Sequence, residues 1–182
     1  MAKFCDRSKL REEAQERISR QLGRPVELVV LRGFSEAALE DITRLDNVKF
    51  REELRYSREE AASRMQRPGF LCLLVYSEGG LVAFEYGYDM GEGVFFSDSQ
   101  ASLVEGRGIG STLFALEIIL QYLDGYRKVM LFTEEVDGQG RRLREFWERL
   151  GFKKTSEEEE GGTSPWKLSW GRIWLENYTI VS

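Results

Sequence analysis

Between residues 70 and 123 the apolar pattern changes period, and that change limits the folds open to this chain. Phe70 to Tyr76, Leu81 to Met90 and Val94 to Ser99 are strand-like runs. They are joined by two short glycine turns, Ser77-Glu78-Gly79-Gly80 and Gly91-Glu92-Gly93. Turns this short connect antiparallel neighbours, so the three runs predict a meander. Alternation puts Val82, Phe84, Tyr86, Tyr88 and Met90 on one face, and Ala83, Glu85, Gly87 and Asp89 on the other. The glycine cluster Glu105-Gly106-Arg107-Gly108-Ile109-Gly110-Ser111 then opens a helix over 111–123, apolar at Leu113, Phe114, Leu116, Ile118, Ile119 and Leu120. A strand is expected over Lys128 to Glu134 and a helix over Arg141 to Leu150. A strand–helix–strand unit in one sheet is a right-handed crossover between parallel strands. The expected fold is therefore α/β, with a mixed sheet that is antiparallel first and parallel where Val94–Ser99 meets Lys128–Glu134.

Residues 8–22 predict a helix in which Leu10, Ala14, Ile18 and Leu22 form a narrow apolar stripe, stopped by Gly23 and Pro25. Val26 to Leu31 reads as a strand. Ser35 caps a helix that buries Leu39, Ile42 and Leu45, and Ser57 with Glu60 forms a capping box for a short helix ending before Pro68. Towards the end, Gly151-Phe152 opens a strand and Glu157 to Glu160 make a solvated loop. One or two strands lie within Trp166 to Ile180, with Trp166, Trp170, Trp174 and Tyr178 on one face. A chain of 182 residues fits one domain. Residues 1–24 are expected as a helical extension packed on a domain over 25–182.

Composition narrows the chemistry. Lys and Arg number 26 against 31 Asp and Glu, a net charge of −5 and a pI near 5.1. The basic footprint of a nucleic-acid binder is missing, so no nucleic-acid partner is expected. There is no histidine, which excludes a Ser-His-Asp triad, a Cys-His dyad and any His-ligated metal. Two distant cysteines, Cys5 and Cys72, make neither a disulfide framework nor a zinc site, and no metal is expected. Met1-Ala2-Lys3-Phe4-Cys5-Asp6 lacks the apolar stretch of a secretory signal, and no apolar run is long enough to span a bilayer. A cytoplasmic protein with reduced thiols and no membrane partner is the expectation. The oligomeric state stays open, a homodimer included.

The glycine cluster is the most informative stretch. Glycines allow close backbone approach, and a helix start presents unpaired N–H groups at the positive end of its dipole. Together they suit a phosphate or pyrophosphate. A Walker A loop would need Gly-Lys-Ser/Thr, which is absent. A dinucleotide fingerprint starting at Gly106 would need glycine or alanine where Ser111 stands, and it usually opens a domain instead of following a meander. That makes a nucleotide-binding oxidoreductase the weaker reading. The third pattern is a pyrophosphate loop for coenzyme A. Here the chain resembles the GNAT superfamily of acetyl-CoA-dependent N-acetyltransferases. Their Gln/Arg-x-x-Gly-x-Gly/Ala signature corresponds to Glu105-Gly106-Arg107-Gly108-Ile109-Gly110, and a downstream signature keeps its spacing from Gly140 to Phe152, with Phe146-Trp147 and Leu150-Gly151-Phe152. The element order agrees from residue 25 onward. Departures are Glu105 for Gln/Arg, Gly140 for Asn, Leu143 for Ala, and Trp147 for the tyrosine that often protonates the leaving thiolate.

The resemblance implies a GNAT-like fold with an extra N-terminal helix. It also implies acetyl-CoA held by Gly106, Arg107, Gly108, Ile109, Gly110 and Ser111, and acetyl transfer to a primary amine. A lysine-like amine of pKa about 10.4 costs about 4.6 kcal/mol to deprotonate at pH 7. With no histidine, a carboxylate acting through water is the expected base. Glu134 and Glu135 close the strand Lys128–Glu134, where ligands of open α/β sheets gather. Glu135 matches a base position of some family members. Glu85 and Asp89 are expected as amine-binding acids on the polar face of the meander, and Tyr178 as substitute acid. The acidic balance favours a cationic small-molecule or peptide acceptor. A non-catalytic acyl-CoA-binding or sensing module is the alternative, because Trp147 cannot titrate.

Overall fold

The structure, a computed structural model, describes residues 6–134, 145, 148, 152–154 and 163–169. Its elements are α1 (Arg7–Leu22), β1 (Glu27–Arg32), α2 (Glu36–Lys49), a 3₁₀ turn (Glu52–Leu54), α3 (Arg58–Met65), β2 (Leu71–Ser77), β3 (Gly80–Gly91), β4 (Val94–Ser102), α4 (Ile109–Leu123), β5 (Lys128–Glu134), β6 (Lys153–Lys154) and β7 (Thr163–Ser169). The seven strands form one sheet in the order β1-β2-β3-β4-β5-β7-β6. Neighbours from β1 to β4 are antiparallel, and β4 and β5 run parallel across the α4 crossover. The mixed sheet is the expected one. Of the helix expected over Arg141–Leu150, Glu145 and Glu148 are described and helical. Glu157 to Glu160, Trp170, Trp174 and Tyr178 lie outside the described residues, as does Cys5. No described helix is long and apolar enough to cross a membrane.

Each face of the sheet has its own core. On one, α1 and α4 bury Leu10, Ile18, Leu22, Leu113, Leu116 and Leu120 against Leu73, Ala83 and Phe95. On the other, α2 and α3 bury Leu39, Ile42 and Met65 against Phe84, Tyr86 and Phe96. One expectation fails here. Val82 packs with Ala83, not with Phe84, because a bulge pairs Tyr76 with Leu81 and Val75 with Ala83, leaving Val82 as the extra residue.

Local chemistry sets the helix ends. The Asp6 carboxylate accepts from the Ser8 N–H, Ser35 accepts from Ala38, and the Ser57–Glu60 capping box forms with both of its bonds. Helix α1 closes on Gly23 at φ 78, whose N–H donates to the Ser19 carbonyl. Its first residue bonds the end of α4, Arg7 to Asp124 at 2.6 Å, and its last turn reaches the start of α4, Gln21 to Gly108 at 3.2 Å. The two helices are therefore antiparallel neighbours, and α1 belongs to the same core as the sheet.

This first core holds two carboxyls. Glu85 of β3 and Glu117 of α4 are each 1% exposed. Burial raises the Glu117 carboxyl to about 7. Burial and the charge of Glu117 push Glu85 well above the usual carboxylate range. The folded chain thus holds protons that the unfolded chain releases around pH 4.5. That stability is full below the unfolded value and is lost as pH rises through 7. We expect the melting temperature to fall between pH 5 and 8. Glu117→Gln should stabilise the chain at pH 8 by about 2–3 kcal/mol. It should flatten the slope, leaving the share due to Asp46, also raised to about 7. Calorimetric scans of both proteins across this range check it, and parallel profiles would refute it.

Candidate active site

The glycine cluster is a tight passage from β4 into α4. Gly106 and Gly108 sit at φ 72 and 78, a left-handed conformation that favours glycine. Gly108 is the N-cap of α4 and supplies no side-chain cap, so the first-turn N–H groups of Ile109, Gly110 and Ser111 lack that partner. Gly110 lies against β4: a Cβ there would come within 3.1 Å of the Gln100 side-chain oxygen. Gln100 bridges the sheet to the loop, donating to the Gly110 carbonyl and the Glu85 carboxylate, both at 2.8 Å. The acid at the start of the cluster is neutralised from α2, where Lys49 pairs with Glu105 at 2.6 Å. Arg107 turns away from this pair towards the last carbonyls of α1, Leu22 at 3.3 Å and Gln21 at 3.4 Å.

Beside the loop, the sheet opens. Strands β4 and β5 share four ladder positions, from Val94 with Lys128 to Ser97 with Leu131. Beyond them β4 continues to Ser102 against β3, and β5 continues to Glu134 against β7. The parting coincides with a bulge. Tyr86 pairs with Ser99 and Gly87 with Ser97, so Asp98 is the extra residue. After Asp98 the β5-facing edge of β4 has no strand partner among the described residues, and it leads to the glycine loop. This is the carboxyl end of parallel strands, where open α/β sheets bind ligands.

An acidic cluster lies on the α2–α3 face next to the parting. The Asp98 side chain is 2% exposed and accepts from Arg64 at 2.9 Å and from the Tyr56 hydroxyl at 2.8 Å. The Arg64 guanidinium also stacks 3.5 Å over the Tyr56 ring. Burial raises the Asp98 carboxyl, and burial with the Asp98 charge raises that of Asp46 to about 7, against the pull of Arg55. One Asp46 carboxylate oxygen and the Tyr86 hydroxyl are buried without a hydrogen-bond partner. Neither Asp98 nor Asp46 stands out from motif or spacing in the sequence. The available signal was a charged residue interrupting the apolar run of β4, Phe95-Phe96-Ser97-Asp98-Ser99.

The expected amine-binding acids do not meet the opening. Alternation gives Glu85 a polar face, but α4 covers that face, and Glu85 accepts from Gln100 inside the core. Asp89 pairs with Phe95, about seven residues and 23 Å of strand from the loop end of β4. Its carboxylate accepts from the Gly91 N–H at 2.7 Å in the β3–β4 turn. Glu134 ends β5, in register with Thr163. Glu135 and Tyr178 lie outside the described residues.

No family model matches the chain, and no curated protein sequence matches it. Solved structures do. An acyl-CoA N-acyltransferase from Pseudomonas aeruginosa superposes with a TM-score of 0.66 at 16% identity, over 79% of this chain and 99% of that one. This chain has the GNAT fold. Aminoglycoside 6'-acetyltransferase type Ii superposes at 0.63 with 18% identity, over 78% of this chain and 96% of that one. The PaiA N-acetyltransferase from Thermoplasma acidophilum, solved in complex with coenzyme A, superposes at 0.58 with 16% identity, over 79% and 99%. A parted β4–β5 pair beside a glycine-rich helix start is how the GNAT fold is built in this chain.

The Arg64–Asp98 pair joins α3 to the bulge. Asp98→Ala leaves the guanidinium and the Tyr56 hydroxyl without their acceptor. We expect it to lower the unfolding free energy by about 2–3 kcal/mol. The loss should be less than for a fully buried pair, because 24% of the Arg64 side chain reaches water. Urea unfolding measures this, and a change under about 0.5 kcal/mol, the range of ordinary surface substitutions, would contradict it.

Proposed function

We propose that this chain is an N-acetyltransferase that moves an acetyl group from acetyl-CoA to a primary amine. The observation that carries the reading is the parting of β4 and β5 after Ser97 and Leu131, beside the uncapped start of α4. The residues present fit such a ligand. The pyrophosphate would lie on the N–H groups of Arg107, Gly108, Ile109, Gly110 and Ser111, with Gly106 and Gly108 holding the left-handed turn and Gly110 carrying no side chain to meet Gln100. Lys49 offsets the one acid of the loop. The open edge of β4 would offer N–H and C=O groups to the amides of the pantetheine arm. In this reading 25–182 is the catalytic unit, 1–24 is its extension, and the protein works in the cytoplasm.

The acceptor reading follows from charge. A net charge of −5 favours a cationic small molecule or peptide amine. An aminoglycoside acetyltransferase among the structural neighbours agrees with that class. In the transfer, the neutral amine nitrogen forms the C–N bond as the C–S bond breaks. The nitrogen gives up a proton and the thiolate takes one. Before the transfer, the ammonium form of the acceptor must lose a proton, which Glu135, or else Glu134, is proposed to take through water; the proton released on transfer goes to solvent, and Tyr178 is proposed to supply the one the thiolate takes. Trp147, at the usual tyrosine position, favours a second reading in which the chain binds acyl-CoA without turnover.

Turnover of acetyl-CoA with a panel of amines separates the two readings: thiol release that depends on the amine supports the enzyme, and binding without release supports the module. For the loop, Gly108→Val forces a branched side chain into a left-handed position, and Gly110→Val meets Gln100. Each should weaken acetyl-CoA binding by tenfold or more in calorimetry, and unchanged affinity in both would reject the assignment. For the base, Glu135→Gln should lower kcat/KM by about 10²–10⁴-fold on a high-pKa amine. The deficit should shrink as pH rises and free amine accumulates, with acetyl-CoA affinity unchanged. If Glu134→Gln and Glu135→Gln both give pH–rate profiles that match the parent, neither glutamate is the base.

A further inference from the structure

We propose that α1 is part of the cofactor site, and that Gln21 is a positioning residue which sets the glycine loop before the ligand arrives; this rests on the coenzyme A reading above. Gln21 lies in the last turn of α1, one residue before Leu22 and the Gly23 cap. Its amide nitrogen donates to the Gly108 carbonyl at 3.2 Å, and its amide oxygen accepts from the Thr112 hydroxyl at 3.1 Å. A carbonyl can only accept, so the amide has one orientation here. The same Gly108 carbonyl also receives the Thr112 N–H at 3.1 Å; the Thr112 hydroxyl oxygen is equally close to it, but its one proton goes to the Gln21 amide oxygen, which can only accept. One side chain from α1 therefore holds both the N-cap of α4 and its first turn.

The rest of the contact points the same way. The Arg107 guanidinium binds the Leu22 and Gln21 carbonyls, at the negative end of the α1 dipole. Gly108 approaches Gln21 so closely that a Cβ there would lie 3.0 Å from the amide nitrogen. The loop has glycine at 106, 108 and 110, two of them left-handed, so a free loop would have much backbone freedom to lose on binding an anion. Fixing it in advance removes that loss from the binding step. Tying the Gly108 carbonyl towards α1 and α4 leaves the first-turn N–H groups facing out of the helix start. Only a residue with both a donor and an acceptor at one tip can make this pair of bonds.

The test is calorimetric titration of the full chain with coenzyme A, alongside thermal unfolding of each variant without ligand. Gln21→Met keeps length and helix propensity and loses both hydrogen bonds. It should weaken coenzyme A binding by about 5–30-fold, the factor that corresponds to 1–2 kcal/mol. The loss should fall on the binding entropy, with a shift of only a few degrees in melting temperature. Thr112→Val removes the hydroxyl alone and should weaken binding less. Ile18→Val, in the α1 core and away from the loop, should lower the melting temperature and leave the affinity unchanged. If the parent does not bind coenzyme A, the cofactor reading falls and this one with it. If the parent binds and Gln21→Met binds equally, the cofactor reading stands and the role of Gln21 is refuted. If Ile18→Val weakens binding as much as Gln21→Met, the effect is general destabilisation and the inference is overturned.

Discussion

A parallel ladder that stops after four residue pairs is the constraint on which the rest of this structure depends. Past Ser97 and Leu131 the backbone of β4 loses its β5 partner while still paired to β3. An unpaired strand edge inside a sheet has unmet donors and acceptors. The chain keeps that edge apart with a bulge, and the bulged residue is Asp98, tied by Arg64 and Tyr56 to the segment before β2. The parting is thus held open from the α2–α3 side, while the loop at its mouth is held from the α1–α4 side.

Much of this was legible in the sequence wherever the signal was local. Turn glycines, caps and period gave the meander, the capping box at Ser57 and the start of α4, expected at Ser111 and found at Ile109. What the sequence hid depends on register or on distant partners. The face of Val82 turned on a bulge opposite Tyr76, which alternation cannot anticipate. Glu85 looked open because alternation assigns a face without saying what covers it. The covering helix has its own polar pair, Glu117 and Gln121, one turn apart within a buried stripe. Lys49 and Glu105 meet across 56 residues, and Gln21 and Thr112 across 91. Such pairings follow from the fold, and neither residue type announces them.

The absence of histidine did not leave the chain without groups that change charge near neutrality. Burial has moved carboxyls into that range, Asp46 on one face of the sheet and Glu117 on the other. They do so for different reasons of place. Asp46 sits in a cluster that includes Arg55, Arg64 and three tyrosines beside the opening. Glu117 sits in the helix–sheet core beside Glu85, Ser97 and the network that ends on the glycine loop through Gln100.

The two cores on opposite faces of the sheet share no side chains. Effects of substitutions at separated sites without common partners add to within about 0.3–0.5 kcal/mol. Replacements lining α2 and α3 can therefore accumulate, reshaping one wall of the opening, without compounding those on α1 and α4. The exception is the bulge itself, where Ser97 reaches Glu85 on one side and Asp98 holds Arg64 and Tyr56 on the other. Among the described residues, divergence can proceed largely separately on the two sides of the sheet, and is coupled at the bulge and where Lys49 of α2 meets Glu105 of the glycine loop.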